Sequence, residues 1–506
     1  MADQLGAASM GCYGCEVNAT PNIDKLAEKS VKFNRHYSLN PVCGPARASI
    51  FTGRESSRTG VYCNNIDMNP DLVHFTSILK DTGYRTGGFG KFHFTDMQKP
   101  LPDDMSAFGF DESIISDDTK YGKWLEWIKK DHPEHYKKAL AVTWPRNFDT
   151  EKDKEEFKSA FEEEMRSRIA SPYDAVTYVS PLPAELHQTT YLTDKSLDFI
   201  ERSSESENPF MCYISYVDPH DPYDPPEPYA SMFNPADLPE PVNAEWLDDQ
   251  PAGYSDILNS PRGLNLESDV APLKDYSLND WQRMRAHFWG SVKFVDDQIG
   301  RIIDLLKKKG IEDNTMIIFT TDHGEMMGDH KLVTKGIKHY DAGVRIPMLI
   351  NTPSAGSKTV DSLTCNMDIY PTICELAGID ISNFSLDGTS LVPFLNGQNA
   401  TLRENLLIQY EEFNKNRCAR TIITDDYFRL SIFPGQNYGE MFDLKKDTQE
   451  QDNLYNNPSS KDKKLELLEK MLNGINDYIH SAYRDVTVNL PVEQQRQWAN
   501  IKQSAE

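Results

Sequence analysis

Apolar positions along this chain follow two periods. From Asn279 to Lys309, Trp281, Met284, Phe288, Val292, Val295, Ile299 and Ile302 recur at spacings of three and four. That pattern predicts one long amphipathic helix, stopped at Gly310. Thr20-Pro21-Asn22-Ile23-Asp24-Lys25-Leu26 predicts a helix start: Thr20 can cap, Pro21 suits the first turn, and Ile23, Leu26 and Ala27 share a face. A continuous apolar run at Thr315 to Thr320 predicts a buried strand, and the shorter runs at Phe210 to Tyr216 and Arg85 to Phe89 read alike. Strands separated by helices imply an α/β domain with a large mixed, mostly parallel sheet flanked by helices. In such sheets ligands bind beyond the carboxyl ends of the strands, so the residues just past each strand are the ones to read.

Two stretches break the pattern. Residues 112–190 are charged and irregular, with a solvated helix expected over Lys152 to Arg168, and Pro222 to Pro272 is rich in Pro, Asp and Asn. Both read as insertions over the core, where specificity is often carried. After Gly388 the texture changes. Thr421-Ile422-Ile423, Tyr427 to Ile432 and Met441 to Leu444 predict short antiparallel strands, and Lys461 to Tyr478 a closing helix. The expected organisation is a catalytic α/β domain over 1–399 and a smaller C-terminal α+β subdomain over 400–506.

Composition narrows the function. The 506 residues suffice for one large domain and a smaller one. A formal charge of −25 argues against nucleic acid and anionic membrane surfaces as partners. An anionic substrate would therefore need a local cluster of cations. No apolar run is long enough to span a bilayer. The eight cysteines are too sparse for a disulfide scaffold, and Cys12-Tyr13-Gly14-Cys15 lacks a second pair to complete a zinc site, so it reads as structural. No signal peptide is read at Met1-Ala2-Asp3-Gln4. The abrupt start, with no strand before Asp3, reads as a truncated gene start, which leaves periplasmic, secreted and cytoplasmic locations open.

The candidate chemistry begins at Cys43-Gly44-Pro45-Ala46-Arg47, followed by Thr52-Gly53-Arg54. Past the predicted strands come Gly90-Lys91-Phe92-His93, Asp218-Pro219-His220 and Thr321-Asp322-His323-Gly324, with Lys335-Gly336 further on and Asp3-Gln4 near the start. Singly, a lysine is usually solvated and a histidine structural. Together they are metal-type ligands, cations and histidines on one edge of one sheet, which packing needs alone rarely produce.

Cys-x-Pro-x-Arg followed by Thr-Gly-Arg resembles the signature of the formylglycine-dependent sulfatases, the type I, arylsulfatase-like branch of the alkaline phosphatase superfamily. Asp3-Gln4-Leu5 with Gly11-Cys12-Tyr13-Gly14, the Thr20 helix, Gly90-Lys91-Phe92-His93, Pro219-His220, Thr321-Asp322-His323-Gly324, Lys335-Gly336 and Asp387-Gly388-Thr389-Ser390-Leu391 match later blocks of that family in order, and Met441 to Leu444 with Asp452-Asn453-Leu454 matches its end. The resemblance implies a sulfuric ester hydrolase. A maturation enzyme would oxidise Cys43 to formylglycine, whose hydrate attacks sulfur and forms a covalent sulfate hemiacetal. Asp3, Gln4, Asp322 and His323 would hold a divalent cation, calcium by preference and magnesium as the alternative; Gln4 stands where many members carry a second aspartate. Arg47, Lys91 and Lys335 would surround the sulfate, His220 would protonate the departing alcohol, and His93 would orient the hydrate and help remove its remaining proton.

Two rivals share these residues. One is a phosphonate monoester or phosphodiester hydrolase of the same superfamily; relatives of that kind tend to carry uncharged groups where this chain has Lys91 and His93. The other is an immature, non-catalytic binding homologue. Sulfated carbohydrates, aryl sulfates and choline sulfate are all compatible with the sequence, and oligomeric state is not legible in it.

Overall fold

The computed structural model describes residues 1–144, 149–169, 171–174, 176–242, 250–259, 271–412 and 417–488. Three parallel strands form one sheet: β3 (Arg85–Gly90) lies between β4 (Glu112–Ile115) and β5 (Phe210–Ser215). A second, mixed sheet runs β6 (Ile317–Thr320), β7 (Met348–Asn351), β1 (Val31–Phe33), β8 (Lys358–Val360). Ala2 joins them. It bridges in parallel to Tyr216, just past β5, and to Thr321, just past β6. Asp3 and Gln4 therefore emerge between two strand ends. A two-stranded ladder of β2 (His36–Tyr37) and β9 (Thr364–Cys365) flanks this sheet.

Helices cover the sheet as its apolar runs require. The long helix spans Leu278–Lys308, within one residue of its expected bounds, and Gly310 follows in the left-handed region at φ +67°. The first helix spans Pro21–Ala27, but Thr20 does not cap it. Thr20 Oγ1 instead accepts from Gly11 N at 2.9 Å. Asp296 of the long helix takes the Asn22 and Ile23 amides at 3.0 and 2.9 Å, so a tertiary contact replaces the local cap.

The two irregular stretches resolve differently. Residues 112–190 are not wholly an insertion: they open with β4, a strand of the main sheet. The helix expected over Lys152 to Arg168 spans Glu151–Glu164 and is not simply solvated, because Phe157, Ala160 and Phe161 are buried. Of Pro222 to Pro272, residues 243–249 and 260–270 lie outside the described residues, and Ala252–Asn259 is a short helix. At the C-terminal end, β10 (Asn405–Tyr410), β11 (Ala419–Thr424), β12 (Phe428–Ile432) and β13 (Gly439–Asp443) form an antiparallel meander. The closing helix runs Lys461–Val488, ten residues past its expected end, and buries Leu467 and Met471 against the meander.

An aromatic floor lies under the strand ends. Phe51 meets Phe94 edge-on at 4.8 Å and Tyr213 at 5.0 Å, while Phe92 meets Phe110 at 5.1 Å. Each such pair adds about 0.5–1.5 kcal/mol beyond burial. Phe92 and Phe94 anchor the segment Lys91-Phe92-His93-Phe94 in this floor, and Lys91 and His93 are buried beside them.

Candidate active site

Cys43 begins the helix Cys43–Thr52, every residue of which is buried. Gly53, left-handed at φ +63°, ends that helix, and Asn64 Oδ1 accepts from Gly44 N at 3.0 Å at its start. Cys43 Sγ lies 3.1 Å from His323 Nε2 and 3.9 Å from Asp3 Oδ1. Burial would push the thiol pKa up. The Lys335 and Lys91 ammonium groups and His323 outweigh burial and hold it well below its usual range. A helix N-terminus favours the same anionic form.

Arg47, one turn on, is fully buried and held from four sides. Its Nε donates to Asp322 Oδ2 at 2.9 Å, and its Nη1 donates to the Lys91 carbonyl at 2.5 Å, Tyr213 Oη at 3.0 Å and Ser215 Oγ at 2.9 Å. Asp3 stands 3.6 Å from its Nη2. Lys91 leaves β3 at Gly90, where φ is +107° and a Cβ would meet the Ser215 carbonyl at 1.8 Å; only glycine fits that approach. The Lys91 ammonium is paired with both Asp3 and Asp118. Burial opposes its charge, yet Asp118 and Asp3 raise its pKa well above the usual value.

His93 is left-handed at φ +53°, held there by Asp117 Oδ1, which accepts from the Phe92 and His93 amides at 3.1 and 3.2 Å. Its two ring nitrogens are buried and make no hydrogen bond among the described residues. His220 follows β5. Its Nδ1 donates to the Asp221 carbonyl at 2.6 Å, and its Nε2 meets Lys335 Nζ. Burial and Lys335 push its pKa down, but Asp118, Asp221 and Asp3 prevail and raise it to about 9.

The metal-type residues converge. Ligand atoms of Asp3, Cys43, Asp322 and His323 lie within 4.8 Å of one another, all buried. His323 Nδ1 donates to the Gly324 carbonyl at 3.0 Å, which turns Nε2 toward this cluster. Two buried carboxylates and an imidazole so close fit a divalent cation. Gln4 is placed differently. Its Oε1 accepts from Lys335 at 2.6 Å, and its Nε2 donates to Asp221 at 3.2 Å and to Glu325. Its backbone is left-handed at φ +61°. All ten residues expected at the site are thus brought together, with Gln4 turned to Lys335.

Sequence reasoning missed the turn Ser116-Asp117-Asp118-Thr119-Lys120, just past β4. Besides Asp117 and Asp118, it supplies Lys120, whose Nζ meets Asp224 Oδ1 and Oδ2 at 3.0 and 2.9 Å and so fastens the segment that carries His220. Tyr213 and Ser215, which hold Arg47, were also unmarked. The signal was available: each lies in or just past a strand.

A nucleophile at a helix N-terminus, ringed by cations and histidines beside a buried carboxylate cluster on an α/β sheet, defines a metal-assisted hydrolase of anionic esters. The family is shown by comparison. The model of the family described as Sulfatase matches residues 1–379, and that of the C-terminal region of N-sulphoglucosamine sulphohydrolase matches 328–477. This chain belongs to the sulfatase family, and it is a sulfuric ester hydrolase of the alkaline phosphatase superfamily. It is 29% identical to the arylsulfatase of Clostridium perfringens, over 93% of this chain and 92% of that protein. It is 24% identical to the N-acetylglucosamine-6-O-sulfatase of Bacteroides thetaiotaomicron, over 93% and 84%. In fold it resembles the phosphonate monoester hydrolase of Agrobacterium radiobacter, with a TM-score of 0.75 at 24% identity over 94% of each chain. Membership brings with it a divalent metal and a formylglycine as the family's general equipment. Among the described residues, no helix is long and apolar enough to cross a membrane.

Proposed function

We propose that Cys43, matured to formylglycine, is the nucleophile that cleaves a sulfate monoester of a carbohydrate or aryl alcohol, beside calcium held by Asp3, Asp322 and His323 with Gln4 at its edge. The observation that carries this reading is the convergence on Cys43 Sγ, where the attacking oxygen would stand, of cations and histidines from separate strand ends. The names of the relatives from Clostridium perfringens and Bacteroides thetaiotaomicron support an aryl or sugar sulfate.

The metal would supply Lewis acidity to the sulfate and lower the pKa of the nucleophile. The chain's own groups do the rest. Arg47 is a rigid fork fixed by Asp322, Tyr213 and Ser215, and it braces Asp3, Asp322 and the Lys91 backbone. Lys91 and Lys335 present compact charges to the sulfate oxygens. His220 Nε2 and Lys335 Nζ meet at one point of the site, so both face the place where the ester oxygen would depart. His220 then donates its proton to the departing alcohol. His93, whose ring nitrogens make no hydrogen bond among the described residues, is placed to orient the nucleophile's hydroxyls and take the proton whose loss releases sulfate. Cys43 is fully buried, so the maturation enzyme would meet it before this segment folds.

Matured enzyme should release sulfate from para-nitrophenyl sulfate or from a panel of sulfated mono- and disaccharides, and Cys43→Ala should not. Turnover of phenyl phosphonate monoesters with all sulfate esters left intact would favour the rival reading instead.

A further inference from the structure

Lys91 sits between two carboxylates. Asp3 belongs to the metal-type cluster. Asp118 comes from the turn after β4; it supports the charge on Lys91 and His220, and neither role requires it to stand as close to the nucleophile as it does. One of its oxygens takes the Lys91 ammonium, and the other lies 4.0 Å from His220 Nε2. A carboxylate oxygen of Asp118, Cys43 Sγ and a ring nitrogen of His93 lie within 4.8 Å of one another. A carboxylate so near the nucleophile is unfavourable for any anion that must arrive there.

We propose that Asp118 sets the charge class of the substrate: it neutralises part of the cation cage so that the site accepts a singly charged sulfate monoester and disfavours a doubly charged phosphate monoester of the same shape. The inference rests on the sulfate-ester reading. The two esters share a tetrahedral head, so contacts that fit one fit the other, whereas their charges differ by about one unit. Repulsion from Asp118 acts on every unit of charge, so the dianion is opposed about twice as strongly. A bound cation attracts the dianion about twice as strongly, and Asp118 offsets part of that preference, so its removal should shift the ratio of the two esters toward the dianion. Arg47 is also held between two carboxylates, but both of them belong to the metal-type cluster, whereas Asp118 does not. The hydrogen-bond partners of Lys335 are the Gln4 amide and His220. At a separation of a few ångströms and an effective dielectric of about 20–40, one unit of charge changes affinity about tenfold or more.

Benzenesulfonate and phenylphosphonate test this directly. Neither can be hydrolysed, they share one shape, and at a pH where the phosphonate is doubly ionised they differ by one charge. Their affinities for the matured, metal-loaded enzyme are measured by calorimetry in wild type, Asp118→Asn and Asp118→Glu. The Asn variant keeps an oxygen acceptor for Lys91. It should raise the ratio of phosphonate to sulfonate affinity about tenfold or more, and the Glu variant should keep the wild-type ratio. A ratio unchanged in Asp118→Asn, or both probes shifting by one common factor, overturns the proposal and leaves Asp118 as a brace for Lys91. Failure of the sulfate reading appears separately, in the turnover of sulfate esters.

Discussion

His220→Gln is the most informative single substitution, because the structure fixes what His220 loses. Asp221 Oδ1 lies 3.4 Å from its Nδ1 and Asp118 Oδ2 4.0 Å from its Nε2, and with Asp3 they hold the ring protonated up to about pH 9 against burial and Lys335. A proton donor of this kind contributes about 10²–10⁴-fold where the leaving group needs it. That corresponds to about 3–5 kcal/mol of barrier. Para-nitrophenolate departs with little help; phenolate and sugar alkoxides do not. The assay is kcat/KM for para-nitrophenyl sulfate, phenyl sulfate and a sugar sulfate, in wild type and His220→Gln. The variant should lose little on the first and about a hundredfold or more on the last. The sign of the pH effect follows from the role: the acid works while protonated, so wild-type activity on the poor leaving groups falls as pH rises through about 9, and the variant lacks that limb. An equal loss on all three substrates, or an alkaline limb that survives the substitution, refutes His220 as the acid.

Other outcomes follow from particular contacts. Gly90→Ala places a Cβ 1.8 Å from the Ser215 carbonyl at φ +107°, so thermal unfolding should show a loss of about 3 kcal/mol or more together with loss of activity. Lys120→Met leaves Asp224 buried without its cation and should cost about 3–5 kcal/mol, most of it regained in the double variant with Asp224→Asn; a double variant no more stable than the single one contradicts the ion-pair account. Burial raises the Glu450 carboxyl to about 7 against Arg429, so the folded chain binds its proton more tightly than the unfolded one. The resulting stability, about 3 kcal/mol, is full below about pH 4.5 and lost as pH rises through 7, and Glu450→Gln should flatten that slope in denaturant titrations. Chelation should lower the melting temperature, and calcium at a hundredfold over its Kd should restore about 3 kcal/mol; no change on chelation would argue against the cluster of Asp3, Asp322 and His323 as a cation site.

Much of this was legible because strand ends and site coincide. Reading past the apolar runs found Lys91, His93, His220, Asp322 and His323, and the Cys-x-Pro-x-Arg motif found Cys43 and Arg47. The miss at Asp117, Asp118 and Lys120 has a simple cause. β4 is four residues with only two apolar ones, Ile114 and Ile115, so it was absorbed into a charged stretch and its strand end was never read. The Thr20 cap failed because Asp296, some 270 residues away, reaches the same amides, and local propensity cannot show that. The partial burial of the Glu151–Glu164 helix and the extra reach of the closing helix are likewise tertiary: Phe157 and Phe161 stand out only once a neighbouring surface exists to receive them. Gln4 shows the limit of a motif. It sits where a ligand belongs, but its amide oxygen is directed by Lys335, a residue far along the chain.

The central claim is that the oxidised form of Cys43 does the chemistry. Preparations with different degrees of maturation, obtained by varying co-expression of a maturation enzyme, give the direct test. In each, the fraction of Cys43 present as formylglycine is measured by peptide mass analysis and plotted against sulfate-ester turnover per chain. A straight line through the origin is the predicted result. Turnover that persists when Cys43 remains a thiol, or that does not rise with conversion, would contradict the account.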